Sequence, residues 1–140
     1  MKQEIMSFDA AQMGVIKKLV QNGFPLKNII PINNNRYSII TSQKKRILLK
    51  FTRDTFHTFS SMFYQEGAEG EGDTINENDL DTAIKLGVTE IYSVFPSGIV
   101  YRIGVAEFVA KSFLWRNEEG KKVRSISINE YEKLFSLGEE

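Results

Sequence analysis

The stretch RYSIITSQKKRILLKF, residues 36–51, decides how this chain folds. Two runs rich in branched and aromatic residues, RYSIITS and KKRILLKF, stand on either side of a short polar segment, a pattern that predicts two antiparallel strands joined by a turn. Side chains alternate between the two faces of a strand. We therefore expect Arg46, Leu48 and Lys50 on a solvated face, opposite the core-facing Ile47 and Leu49.

Outward from this hairpin, the chain alternates helical and extended patterns. Helical spacing of apolar residues predicts helices at 8–22, 54–64 and 77–86, the last capped by Asn76 or Asn78. The runs VTEIYSVF and GIVYRI predict a second hairpin around Pro96-Ser97-Gly98. Residues 104–116 fit a helix or a bent strand, VRSISI fits a strand, and NEYEKLF at 129–135 predicts a final helix.

This order of elements predicts an α/β fold. We expect a single mixed β-sheet with two β-hairpins, flanked by helices, in one domain that spans residues 1–140. Between two of the helices lies a stretch rich in glycine and acidic residues, at about 65–76, which predicts a flexible loop.

Composition limits the classes of site that the chain can carry. It has 140 residues, no cysteine and a single histidine, His57, which excludes disulfides, thiolate metal sites and a multi-histidine zinc site within one chain. No apolar run reaches the roughly 18–20 residues that a membrane helix needs. We expect a cytoplasmic protein that has no membrane contact.

Charge is balanced overall but is distributed unevenly. Residues 1–53 hold ten Lys or Arg against two acids, a balance of +8, and residues 54–95 hold nine acids against Lys85, a balance of −8. One interpretation is that the two segments neutralise each other across one folded surface. The other is a cationic face for a polyanion beside an acidic cluster that binds a hard cation.

The order helix, hairpin, lysine-bearing strand, helix resembles the core of the restriction-endonuclease-like, or PD-(D/E)XK, nucleases, which include archaeal Holliday-junction resolvases. The resemblance covers about residues 8–103 and implies that Lys50 matches the catalytic lysine of that family. It also implies Mg²⁺ as cofactor, held by carboxylates that include an acid on the first helix, for which Glu4 and Asp9 are the candidates.

Two carboxylate positions of the family pattern are empty in this chain. The residue two before Lys50 is Leu48, where the family has an acid, and the hairpin offers Ser38 in place of an Asp. Acids from the following segment are the substitutes, with Asp54 as a catalytic and metal-binding candidate and with Glu71 and Asp73 as further metal ligands.

Nucleic acid, DNA or RNA, is the partner that the resemblance implies. The candidate phosphate contacts share a positive charge and fall in two groups: Lys44, Lys45, Arg46 and Arg53 around the hairpin, and Lys121, Lys122 and Arg124 near Trp115. Cations interleaved with an aromatic residue suit a single strand, whose bases stack on the ring.

The alternative is a non-enzymatic protein–protein interaction module, homo-oligomeric and without a nucleic-acid role. The arrangement of charge distinguishes the two hypotheses. The first expects Lys45, Arg46, Lys50 and Arg53 to line one concave face, and the second expects acids such as Asp73 to cover them. A homodimer is compatible with both.

Overall fold

The computed structural model describes residues 8–23, 26–32, 37–42, 45–51, 72–94 and 98–137. Several sequence predictions lie outside these ranges: the helix at 54–64, the loop up to residue 71, and the candidate residues Lys44, Arg53, Asp54 and Glu71.

Helices and strands alternate along the described part of the chain. The helices are α1 (Phe8–Gln21), α2 (Glu77–Lys85) and α3 (Val105–Lys111), with a 3₁₀ turn at Ile128–Glu130. The strands are β1 (Leu26–Ile32), β2 (Tyr37–Ser42), β3 (Lys45–Phe51), β4 (Gly72–Asn76), β5 (Glu90–Val94), β6 (Ile99–Gly104), β7 (Phe113–Arg116), β8 (Lys122–Ser127) and β9 (Glu132–Ser136).

The larger sheet has six strands in the order β1-β2-β3-β5-β6-β9. All neighbours are antiparallel except β3 and β5, whose parallel pairing makes the sheet mixed. The predicted α/β fold, with a mixed sheet, two hairpins (β2–β3 and β5–β6) and flanking helices, is confirmed.

A second, three-stranded antiparallel sheet, in the order β4-β8-β7, was not predicted. Its strand β4 occupies Gly72–Asn76, the end of the stretch predicted to be a loop. The physical reason is Ile75, the one long apolar side chain of that stretch, which is fully buried in the core. Burial of a single isoleucine and pairing with β8 outweigh the high glycine and acid content nearby.

Two apolar clusters lie on opposite faces of the larger sheet. On one face, Val15, Ile16 and Leu19 of α1 pack against Ile47 and Leu49. On the other face, a second cluster joins the sheet to β4, β8, α2 and α3; its members include Ile39, Leu48, Ile75, Leu80, Ile91, Phe108 and Ile126. The larger sheet is therefore covered on both faces.

Burial on both faces corrects the prediction of a solvated face for Leu48 and Lys50, whereas Arg46, near the start of β3, is exposed as predicted. Leu48 is fully buried and Lys50 is only 8% exposed, because the face that they share lies beneath the small sheet. A strand in the middle of a sheet that is covered on both faces shows no alternation of apolar and exposed positions.

The predicted N-terminal cap of α2 is confirmed, with Asn76 as the capping residue. The side chain of Asn76 accepts hydrogen bonds from the N–H groups of Asn78 and Asp79 and so caps α2. Gly87 follows α2 with a φ of +90°, a backbone conformation that favours glycine.

The predicted final helix at 129–135 is wrong. The segment forms a short 3₁₀ turn and then β9, which pairs antiparallel with β6. Strand pairing there satisfies the backbone hydrogen bonds at the outer edge of β6. It also lets Leu134 and Phe135 pack against the apolar cluster that contains the α1 residues. The ambiguous segment 104–116 divides into α3 and β7.

Candidate functional site

Four polar side chains meet between the two sheets. Lys50 lies near the end of β3, where its register partners are Tyr37 on β2 and Ser93 on β5. Asp73 comes from β4 of the small sheet, and Tyr131 lies just before β9. We refer to Lys50, Asp73, Ser93 and Tyr131 as the Lys50 cluster.

The Asp73 carboxylate is the centre of the Lys50 cluster. Its Oδ1 lies 2.6 Å from Lys50 Nζ. Its Oδ2 accepts hydrogen bonds from the Ser93 hydroxyl at 2.5 Å and from the Tyr131 hydroxyl at 2.6 Å. Asp73 is 1% exposed and Ser93 is fully buried, so these bonds form away from bulk water.

The protonation states follow from burial and from these contacts. Burial opposes ionisation of Asp73, but the Lys50 charge and the hydrogen bonds from Lys50, Ser93 and Tyr131 outweigh it, so the pKa of Asp73 is lowered. Burial, followed by the charge of Asp73, raises the pKa of Tyr131 well above its ordinary value. At neutral pH the cluster holds an Asp73 carboxylate and a neutral Tyr131 phenol.

Leu48 and Ser38 occupy the two positions at which the resemblance expects a carboxylate. Leu48 shares the face of Lys50 and is fully buried in the core. Ser38 pairs with Leu49 and so belongs to the opposite, α1-covered face of the sheet. An acid at position 38 would not meet Lys50 in this register, whereas Tyr37 stands directly beside it.

Of the predicted metal ligands Asp54, Glu71 and Asp73, only Asp73 lies in the described part of the chain. Of the two candidate helix acids, Asp9 lies in the first turn of α1, and Glu4 lies outside the described residues. Both carboxylate oxygens of Asp73 are engaged, one by a cation and the other by two hydroxyl donors. Within the ranges that the structure describes, no group of three or more His, Asp or Glu side chains is placed to hold a metal ion. The described surroundings of Asp73 therefore do not fit a Mg²⁺ site.

The predicted phosphate contacts that the structure describes are not brought together on one face. Lys45 lies 3.6 Å from Glu90, and the Arg46 guanidinium donates to the Leu86 carbonyl oxygen at the end of α2. These partners lie on opposite faces of β3, as the alternation of side chains requires.

In the C-terminal group, Arg124 is bound by Glu77 at 2.6 Å and also donates to Val109 and Ser112. Lys121 and Lys122 remain exposed, with Glu119 at 3.8 Å from Lys121. Trp115, proposed as a stacking ring, is half-buried, and its indole N–H donates to Ser125 at 2.8 Å.

Sequence reasoning missed Ser93 and Tyr131. Tyr131 lies 58 residues from Asp73 along the chain and Ser93 lies 20 residues away, so no local pattern links them. A buried strand serine beside a buried lysine is the one signal available, and it needs the β3–β5 register to be known.

Comparison with models of protein families, with curated proteins and with solved structures finds no match to this chain. Across the described ranges, no helix has both the length and the apolar composition that crossing a bilayer requires.

Proposed function

We propose that this chain is a nucleic-acid-associated domain of the restriction-endonuclease-like kind that binds without cleaving. The observation that carries the proposal is the position and environment of Lys50. It lies near the end of β3, the second strand of the β2–β3 hairpin, and matches the lysine of the family, but Leu48 takes the place of the neighbouring acid and Asp73 binds the ammonium group.

The loss of cleavage in this proposal rests on the chemistry of the Lys50 cluster. A nuclease lysine has to reach water or phosphate, whereas Lys50 is 8% exposed and already bound to a carboxylate. For Asp73 to ligate Mg²⁺, the ion would have to displace the Lys50 ammonium or two hydroxyl donors. Each displacement strips a buried polar group of its partner, at a cost of about 1–3 kcal/mol or more.

Binding in this proposal falls to exposed cations of the β7–β8 hairpin. Lys121 and Lys122 are exposed near its turn, and Arg116 precedes the turn. Cations that keep their side chains in solvent can release counterions on contact with phosphate, which is the main source of sequence-independent affinity. A cytoplasmic location belongs to the same proposal, because a chain without cysteine fits a reducing compartment.

The binding test measures affinity for duplex, branched and single-stranded DNA at two salt concentrations without Mg²⁺. We expect log K to fall with log [salt], and the double variant Lys121→Ala/Lys122→Ala to reduce the slope by about 2. The matched control, Lys85→Ala/Lys133→Ala, removes two exposed cations elsewhere and should leave the slope unchanged. Absence of binding even at low salt would refute the proposal.

The cleavage test adds Mg²⁺ to the same labelled DNAs. We expect no cleavage by the wild-type chain. Cleavage that appears with Mg²⁺ and disappears in Lys50→Ala would instead support a catalytic role for Lys50, with Mg²⁺ held by acids outside the described ranges.

The arrangement of charge favours the second candidate, a protein–protein interaction module, because Asp73 and Glu90 cover Lys50 and Lys45 as that hypothesis expects. The pairs Lys45–Glu90 and Lys50–Asp73 each join the basic segment 1–53 to the acidic segment 54–95, so part of the +8 and −8 balance is used internally. If DNA binding fails at low salt, this internal neutralisation becomes the explanation for the charge pattern.

A further inference from the structure

Strand β7 forms one end of the small sheet. In the order β4-β8-β7 it pairs with β8, and no other strand in the described ranges pairs with it. Its four residues, Phe-Leu-Trp-Arg, follow α3 after one intervening residue and lead into the turn at 117–121.

The hydrogen bonds of the hairpin determine which backbone groups of β7 face outward. Asn117 donates its N–H to the Lys121 carbonyl oxygen at 2.9 Å, which makes 117 and 121 a hydrogen-bonded pair. In an antiparallel ladder such pairs recur at every second residue. The backbone N–H and C=O groups of Trp115 and Phe113 therefore point toward β8. The backbone N–H and C=O groups of Leu114 and Arg116 therefore point away from β8, along the outer edge.

Apolar side chains surround this edge. Phe113 is 55% exposed, Leu114 is 46% exposed, and Val109, at the end of α3, is 38% exposed. Natural sheets protect their edges with charges, prolines or bulges. The edge strand β1 follows that rule, with Pro31 and a register shift between Leu26 and Asn28, whereas β7 presents a leucine at the centre of its edge.

We propose that β7 pairs antiparallel with β7 of a second copy of this chain across a two-fold axis. The pairing would join two three-stranded sheets into one sheet of six strands. It would satisfy the outward backbone groups of Leu114 and Arg116 and bury the apolar side chains beside them.

Charge complementarity selects a second copy as the occupant. Lys111 lies two residues before β7, and Glu118 and Glu119 lie two and three residues after it. An antiparallel two-fold pair places the N-terminal flank of each strand opposite the C-terminal flank of the other, so lysine faces glutamate on both sides of the axis. Lys111 is half-exposed in its ion pair with Glu130, 3.2 Å away, and can share its charge with the partner.

The β7 pairing uses the backbone of Arg116 and the acids that flank the strand, and the DNA-binding test rests on the side chains of Lys121 and Lys122, so separate variants test the two proposals. Failure of the dimer would leave the proposed function untouched, and failure of DNA binding would leave the dimer untouched.

The test is sedimentation velocity of the full chain over a wide concentration range. We expect a concentration-dependent dimer whose dissociation constant rises about tenfold or more in Leu114→Pro. Proline removes an outward N–H but no bond to β8, and the extended conformation that it imposes on Phe113 is already that of a strand. The matched control Ile84→Lys changes an equally exposed apolar residue on α2 and should leave the dimer intact.

Charge reversal supplies a second test that does not alter the backbone. Lys111→Glu should weaken the dimer about two- to fivefold, and Glu118→Lys/Glu119→Lys in the same chain should restore it. Far-UV circular dichroism of each variant is the control for folding. A wild-type chain that stays monomeric throughout, or a dimer that Leu114→Pro leaves unchanged, would overturn the proposal.

Discussion

Strands β3 and β7 have similar composition and opposite surroundings. Both combine cationic and large apolar residues, as KRILLKF and FLWR. In the middle of the larger sheet, β3 is covered on both faces, and its Lys50 is bound by Asp73. At the end of the small sheet, β7 keeps Phe113 and Leu114 largely exposed. Position within a sheet, rather than composition, decides whether such a strand stabilises the chain or offers a surface to a partner.

The Lys50 cluster shows how the fold accommodates a buried cation on a central strand. A buried cation needs a matched anion, because removal of a charge from water costs several kcal/mol. Here one carboxylate meets that need and fastens β4 of the small sheet to β3 and β5 of the larger one. The contact that holds the Lys50 ammonium group thus also joins the two sheets.

The largest expected effect comes from breaking the cluster with Asp73→Ala. The change leaves a buried Lys50 charge without its partner, so we expect the free energy of unfolding to fall by about 3–5 kcal/mol. Chemical denaturation followed by circular dichroism measures it. As a control, Glu119→Ala removes an exposed partner of Lys121 and should change stability by less than about 0.5 kcal/mol. Equal effects of the two variants would contradict the buried pairing.

A matched pair of leucines tests the contrast between the two strands directly. Leu48→Ala on β3 removes a fully buried side chain and should reduce the free energy of unfolding by about 2–5 kcal/mol. Leu114→Ala on β7, where the side chain is 46% exposed, should cost less than about 1 kcal/mol when measured at protein concentrations too low for dimerisation. A larger loss for Leu114 would mean that β7 is part of the core.

A modest effect and the clearest pH signature belong to Tyr131→Phe. Loss of one hydrogen bond to Asp73 should lower stability by about 1 kcal/mol at neutral pH. The folded pKa of Tyr131 is raised, so its contribution to stability is present below pH 10 and is lost as the pH rises through the folded pKa.

The variant should therefore lose less stability than wild type between neutral pH and strongly alkaline pH. Denaturation midpoints across this range measure the difference. Tyr92, whose pKa burial raises to about 12, remains in both proteins and serves as the internal reference. Parallel alkaline losses in the two proteins would contradict a neutral, buried Tyr131 phenol.

Much of the fold could be predicted from the sequence because its signals are local. The hairpins β2–β3 and β5–β6 bring together segments a few residues apart, and Asn76 and Gly87 mark the ends of α2 through their own backbone and side-chain chemistry. The prediction of a final helix was wrong because a distant contact decides the structure there. Residues 129–135 have helical spacing, but the edge of β6, about 30 residues earlier, pairs with the segment as a strand.

The candidate site also has a part that could be predicted from local sequence and a part that depends on distant contacts. The sequence by itself indicated Lys50 as a candidate catalytic residue and Asp73 as a candidate metal ligand, and it predicted the strand that carries the lysine. Only the tertiary structure decided that the two bind each other, with Ser93 and Tyr131 completing the carboxylate's hydrogen bonds. Sequence periodicity specifies which face of a strand a residue takes, whereas burial of that face depends on which distant element packs against it, here a small sheet built from residues 72–127.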